Sequence, residues 1–283
     1  MTMTSTTHHP GVGATHASRP APPSQQETIE DLLIKAKRDA VPIRNRFVQQ
    51  GRGKATRPGP LAAFVSSQDA RGLRTYLLIR ALISSGDRGW SCTYPSQMWV
   101  RALALGEHAE EDSARSAVSK VFSRLIRRSL IERSRANKLS SLTILREDGS
   151  GADYTHPGTV REAHFKLPHA FWTEGHYNTL TLPGIAVLLI ALSLPNDFYL
   201  PFSKAKAWYG IGEETAQDGM RQLVDLGLIT FRVEWIMNQS AKDGWQSQRY
   251  YTLVGSYSSA ARASKKTPGA KRAKPAAPVA ATT

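Results

Sequence analysis

The chain has 283 residues, enough for two small domains, and 37 Lys and Arg stand against 23 Asp and Glu for a net charge of +14. Such an excess predicts a polyanionic partner, nucleic acid before all others. No apolar run nears the roughly 20 residues that span a bilayer and no signal peptide opens the chain, so a cytoplasmic, nucleoid-associated protein without membrane contact is expected. The single cysteine, Cys92, excludes an internal disulfide framework.

The charge is unevenly spread. Residues 35–57 carry eight basic side chains against one acidic, and residues 58–146 carry fourteen against seven. Residues 147–254 reverse the balance with eight against twelve, and residues 255–283 carry six basic residues and no acid.

Residues 1–26 hold almost no large apolar side chain and read as a disordered arm. From Glu27, the spacing of Ile29, Leu32, Leu33, Ala36 and Ala40 predicts a short amphipathic helix before Pro42. Residues 51–60 interleave Arg52, Lys54 and Arg57 with Gly and Pro and read as an extended basic linker, closing a 27–60 segment of helix and linker. Gly51-Arg52-Gly53-Lys54 is weakly similar to a minor-groove hook, against the plainer reading of a solvated linker.

A first domain is expected over 61–150. Leu73, Tyr76, Leu77 and residues 80–83 predict a helix ended by Gly86, then Trp90 to Tyr94 a short strand before Pro95. A second helix runs through Met98, Trp99 and Leu103 to a turn at Gly106. Asp112 is placed to cap a third helix whose buried face is Ala114, Val118, Val121, Phe122 and Leu125. Leu130 to Arg133 and Leu142 to Leu145 then alternate as a hairpin around Asn137-Lys138.

A connector over 151–180 contains a strand near 163–167, and a second domain over 181–255 repeats the order. Leu182 to Leu194 is its helix, Phe198 to Leu200 its short strand, and Pro201 opens the next helix. Residues 208–212 make the turn, and a helix follows with Ala216, Met220, Leu223 and Val224 inward. Residues 228–235 and 246–254 form a longer hairpin. Residues 256–283 read as a disordered basic tail.

No Ser, Cys or His stands in a nucleophile arrangement, and His156, His164, His169 and His176 show no ligand spacing, so no catalytic residue, metal or cofactor is expected. Gly11-Val12-Gly13 and Gly210-Ile211-Gly212 lack the context of a phosphate loop. An enzyme is not expected.

Helix, strand, helix, turn, helix, hairpin, given twice, resembles the winged-helix fold. The stretches Val121 to Ile131 and Met220 to Ile229 look like its usual junction between third helix and wing, where a small residue or Gly precedes Leu-Ile. Gly227 obeys that pattern and Ser129 departs from it. The resemblance implies a mainly α chain with small β-hairpin wings (α+β), two winged-helix domains in tandem and disordered termini. It is similar in this to bacterial transcriptional regulators and to plasmid or phage replication initiators.

The resemblance implies that the third helix presents its outward face to a DNA groove. In the first domain that face is Arg115, Ser116, Ser119, Lys120 and Ser123, with Arg124, Arg127 and Arg128 toward the phosphates, and Arg133, Arg135 and Lys138 in the wing. Glu110, Glu111 and Asp112 stand against this by repelling phosphates. In the second domain Glu213, Glu214, Gln217, Asp218, Arg221 and Gln222 face outward. Lys204, Lys206, Arg221 and the wing's Arg232, Lys242 and Arg249 remain for backbone contacts, and dimerisation is an equal alternative for that domain. The aromatics Trp235, Trp245, Tyr250 and Tyr251 read as packing residues. In the arms, Arg52, Lys54, Arg57, Lys265, Lys266, Lys271 and Arg272 would hold phosphates through counterion release. The expectation is a homodimer that binds double-stranded DNA as a transcriptional regulator; the alternatives are an origin-binding initiator or partition-type factor and a protein-interaction scaffold.

Overall fold

The computed structural model describes residues 21–36, 38–51, 57–83, 89–106, 110–136 and 139–263. Of these residues 46% are helical and 21% in strands, so the chain mixes helices with small antiparallel sheets. Most of both expected disordered ends, Gly86 and the Asn137-Lys138 turn lie outside the described residues.

Ser24 opens helix α1 (Gln25–Ile34) with a capping box, its hydroxyl taking the Glu27 N–H while the Glu27 carboxylate takes the Ser24 N–H. Ile29, Leu32 and Leu33 are buried. The helix stops well short of Pro42, because Ala40 to Arg44 is a strand, β1 (Ala40–Arg44), paired antiparallel with β5 (His164–Pro168). Sequence periodicity extended the helix to Ala40 because Ala36 and Ala40 continued its spacing. The strand wins because Val41 and Ile43 find buried partners in Leu167 and Phe165.

The segment expected as a loose linker is also partly packed. Pro58 bridges Gln49, and a Cβ at Gly59 would stand 2.4 Å from the Arg46 and Phe47 carbonyl oxygens. After it comes α2 (Leu61–Ser66), an element with no counterpart in the sequence reading, which buries Leu61 and Phe64.

The first repeat then runs α3 (Ala70–Leu82), β2 (Ser91–Tyr94), α4 (Ser96–Ala102), α5 (Glu111–Arg127), β3 (Ile131–Ala136) and β4 (Leu139–Ile144), with sheet order β2-β4-β3. Asp112 lies inside the first turn of α5, and Glu110 is its N-cap residue without a side-chain cap. The cap expected of Asp112 is therefore replaced by a favourable charge at the positive end of the helix.

Between the repeats, β5 leads into the short helices α6 (Ala170–Thr173) and α7 (His176–Thr179). The second repeat runs α8 (Leu182–Ser193), an isolated bridge at Phe198, a 3-10 turn (Phe202–Lys204), α9 (Ala205–Tyr209), α10 (Glu213–Asp225), β6 (Ile229–Met237) and β7 (Trp245–Leu253). Phe198 pairs with Tyr251 of β7, so its place in the order matches that of β2, although a single bridge replaces the expected strand. Pro201 opens a 3-10 turn before α9. Trp208 and Tyr209 belong to α9, and the turn is confined to Gly210–Gly212.

Both junctions out of the long third helix close in one way. Ser129 at φ 54° and Gly227 at φ 67° are left-handed, and the Leu130 and Leu228 N–H groups reach back to the Leu125 and Leu223 carbonyls. Ser129 thus departs from the pattern in residue type and keeps its geometry.

Helix α8 is apolar all round and buried from Gly184 to Leu192, as a central helix must be. Helix α10 lies on it so closely that a Cβ at Gly219 would stand 2.4 Å from the Pro183 carbonyl oxygen. The buried apolar side chains form one cluster running from Ile29 to Tyr257 and shared by both repeats. The start of the presumed basic tail is part of it: a 3-10 turn (Gly255–Tyr257) buries Tyr257, and α11 (Ser259–Ala263) follows. Arg262 donates to the Tyr257 and Leu192 carbonyls, which holds this end on the fold as far as residue 263.

Candidate functional site

Helix α5 is amphipathic in the way its sequence requires: Ala114, Val118, Val121, Phe122 and Leu125 are buried. Arg115, Ser116, Lys120, Ser123 and Arg127 are exposed on the other side, and Ser119 is half-buried. Ile126 is also exposed there, an apolar member that charge counting passed over.

The acidic residues at the start of α5 do more than complement its dipole. Glu111 accepts a hydrogen bond from Arg115 one turn on and another from Gln97 of α4. The pair is exposed, so Arg115 can leave it for a stronger anion at little cost.

Arg124 and Arg128 are held differently. Asp69, which caps α3 by accepting the Gly72 N–H at 2.9 Å, also takes Arg124 Nε at 3.0 Å, Arg124 Nη2 at 2.9 Å and Arg128 Nη1 at 2.7 Å. Burial alone would raise the Asp69 carboxyl, but these donors hold it below its ordinary value. The Arg128 guanidinium also lies 4.3 Å from the Phe64 ring centre. With Ser67, Gln68 and Arg127, these residues line a surface pocket of about 480 Å³. Of the three arginines expected at phosphate, Arg127 is exposed, while Arg124 and Arg128 are tied to a buried carboxylate. A carboxylate fifty-five positions away gave no sequence signal of that pairing.

In the β3–β4 hairpin, Arg133 and Arg135 share the strand face of buried Ile131. Arg133 lies 5.6 Å from the Phe122 ring centre of α5 and donates through Nε and Nη2 to Ser140 Oγ. Both are exposed, so helix face and hairpin together offer cations on one flank of the first repeat.

In the second repeat Lys204, Lys206 and Arg221 are exposed, and Arg221 pairs with Asp218. Gln222 does not face outward with them. Its Oε1 accepts from the Thr181 N–H and hydroxyl and its Nε2 donates to the Thr179 carbonyl, tying α10 to the start of α8. Among the arm residues, Arg57 stacks 4.8 Å from the Trp208 ring centre, while Arg52, Lys54, Lys265, Lys266, Lys271 and Arg272, like Lys138 of the first hairpin, lie outside the described residues.

The histidines are spread over separate environments. His156 and His164 have ring centres 6.5 Å apart, and His176 Nδ1 shares a hydrogen bond of 2.8 Å with the Tyr257 hydroxyl. No group of three His, Cys, Asp or Glu among the described residues is placed to hold a metal. No helix among them is long and apolar enough to cross a membrane.

The chief buried polar cluster is an ion network. Arg44 and Arg80 both pair with fully buried Glu147, and Arg44 also reaches Glu162 and the Thr155 carbonyl. It joins β1, α3 and the segment after β4, with each charge matched, as burial demands.

Comparison of this chain with protein-family models, curated proteins and solved structures finds no match.

Proposed function

We propose that the chain binds double-stranded DNA sequence-specifically as a dimeric winged-helix protein, with the first repeat as reader and transcriptional regulation as its role. The observation that carries this reading is α5: five buried apolar anchors on one side, and exposed Arg115, Ser116, Lys120, Ser123 and Arg127 on the other, beside a hairpin bearing Arg133 and Arg135. Arg and Ser suit base edges and phosphates, and a helix held by its apolar side keeps them in register with a groove. The order helix, strand, helix, helix, hairpin in the first repeat, and its near-repetition in the second with a single bridge in place of the strand, support the reading. The second repeat is assigned to assembly, because α10 sets only Arg221, paired with Asp218, against its exposed Glu213, Glu214 and Asp218, whereas α5 carries exposed Arg115, Lys120 and Arg127 beyond its own acidic start.

Selection of bound sequences from a random duplex pool tests the proposal. A recovered consensus, lost or relaxed in Arg115→Ala and Lys120→Ala, supports α5 as the reader. Uniform loss of affinity across all sequences would reassign these residues to phosphate contacts, and absence of duplex binding would leave the scaffold reading. A palindrome beside a promoter fits a regulator, whereas direct repeats in an AT-rich origin would make the protein an initiator.

A further inference from the structure

Helix α5 uses its apolar residues as anchors; the β6–β7 hairpin does the reverse. The antiparallel register sets Phe231, Val233, Trp235 and Met237 opposite Tyr251, Arg249, Ser247 and Trp245, so these eight residues share one face. Of them, Phe231, Val233, Trp235, Met237 and Trp245 are 43 to 71% exposed. The expectation that the hairpin aromatics are packing residues holds for buried Tyr251 and fails for Trp235 and Trp245.

We infer that this face is the surface through which two copies of the chain pair, sheet face on sheet face about a two-fold axis near Val233. The inference rests on the dimeric part of the proposed function and deepens it by naming the contact.

Three observations point to a second copy as the occupant. The first is shape. At the base of the hairpin, Phe202, Met220, Val224, Phe231 and Tyr251, together with Gln217, Arg221 and Arg249, line an open groove of about 360 Å³ between α10 and the sheet. At its far end Trp235, Met237 and Trp245 protrude. Groove and protrusion lie on the same face, and at about 3.3 Å per residue Trp235 is roughly 13 Å beyond Phe231. An axis at Val233 exchanges positions 231 and 235, so each copy's Trp235 enters the other's groove, as an isologous contact requires.

Area is the second. Whole side chains of this size expose about 150 to 250 Å² each, so the five exposed residues present roughly 600 Å² per copy. With the groove walls this approaches the roughly 800 Å² per partner of a stable interface and stands at the top of the roughly 300 to 600 Å² that the largest apolar patch of a monomer covers.

Charge is the third. Between positions 229–237 and 245–253 Arg249 is the only charged residue on this face, and its guanidinium lies 4.9 Å from the Phe231 ring centre. Arg232 and Glu234 stand on the opposite face, Arg232 paired with both Asp197 and Glu234. Of the two arginines at the groove, Arg221 is paired with Asp218 and Arg249 lies over Phe231, so the protruding part of the face, from Val233 to Met237 and Trp245, fits an apolar partner better than a phosphate backbone.

The test uses the full chain at about 50 μM, well above the micromolar dissociation constants of modest interfaces. Sedimentation equilibrium gives the mass of the wild type, of Trp235→Glu/Met237→Glu and of Glu234→Lys, the last on the opposite face. The expected result is a dimer weakened at least about 100-fold by the double substitution, as for loss of central anchors, and unchanged by Glu234→Lys. Cross-linking is independent of any folding defect. Cys92 is buried, with its thiol pushed up to about 12 by burial, so an introduced cysteine is the reactive one. Val233→Cys should form a disulfide-linked dimer under mild oxidation, and Glu234→Cys should not. A wild-type dimer insensitive to the double substitution and not trapped by Val233→Cys overturns this surface and leaves the dimeric reading standing. A wild type that stays monomeric with and without duplex overturns both. A monomer whose duplex affinity falls in the double variant overturns the inference by making DNA the occupant.

Discussion

Replacing Asp69 with alanine removes a carboxylate that caps α3 and neutralises two arginines of α5. The cap, a 2.9 Å bond from the Gly72 N–H, contributes about 1 kcal/mol. The bonds from Arg124 and Arg128 are charge-assisted, but Arg124 is about a third exposed and both guanidinium groups can turn to water, so about 1 kcal/mol for each is the reasonable magnitude. Asp69→Ala should therefore cost about 3 kcal/mol. Asp69→Asn, which keeps a cap of equal quality, should cost about 2 kcal/mol. For a chain of this size the alanine variant would melt roughly 6 to 12 °C lower. Because the Asp69 carboxyl is held below its ordinary value in the fold, its stabilising contribution is complete above that ordinary value and is lost as pH falls through the lowered one. Urea titrations at fixed pH should show a constant gap between wild type and Asp69→Asn from pH 7 to about 5, closing only as the pH falls below the ordinary carboxylate range. A gap under about 0.5 kcal/mol at pH 7 for the alanine variant would refute the reasoning, since cap and ion pairs would then contribute nothing measurable. The same variants bear on the proposed DNA contact: freeing two arginines for phosphate should steepen the logarithmic salt dependence of duplex binding by up to about 1.8.

Ser129→Gly should stabilise the chain by about 1 kcal/mol, because a serine at φ 54° carries a left-handed strain that Gly227 at the equivalent junction avoids; differential scanning calorimetry reads it. Glu147→Gln leaves buried Arg80 without a counter-charge and Arg44 with Glu162 alone, and should cost about 3 kcal/mol in chemical denaturation. Burial, aided by nearby cations at His156 and opposed by Glu174 at His176, lowers both imidazoles from the ordinary 6.5. Their neutral forms are favoured in the fold, so stability should decline as pH falls from about 6.5, and His156→Gln/His176→Gln should flatten urea midpoints between pH 7 and 5.5. Removal of residues 264–283, with five basic residues and no acid, should lower duplex affinity alike for all sequences and reduce its salt dependence, while the selected consensus stays the same.

Elements built on strong local periodicity were legible in the sequence. The buried face of α5, from Ala114 to Leu125, the apolar run of α8 and both long hairpins lie where apolar spacing put them. Elements that exist through a distant partner were not. Strand β1 is stabilised by β5, some 120 residues on, and α2 packs on α3 and α8, whereas neither has a period of its own. Tyr257 shows the same failure from the other side. A single aromatic at the head of a small-residue tail is too little for a compositional reading, yet it is fully buried beside His176.

The candidate site divides along the same line. Which α5 residues face outward follows from a 100° turn per residue and five apolar anchors, so Arg115, Ser116, Lys120, Ser123 and Arg127 could be named without coordinates. Whether an outward arginine is free depends on what the rest of the chain brings to it. Asp69 reaches Arg124 and Arg128, and Trp208 covers Arg57, only because of packing between elements distant in sequence, whereas the Glu111–Arg115 pair is local to one helix. The period-2 geometry of any strand gives β6 two faces, but only the tertiary structure decided which face stays bare. A helix lies on one side of the first hairpin and covers it, while the second hairpin extends past α10 and leaves Trp235 and Met237 in water. Local covalent geometry sets the periodicities that the sequence carries; burial is a property of the whole chain, because it depends on which distant surface arrives to exclude the water.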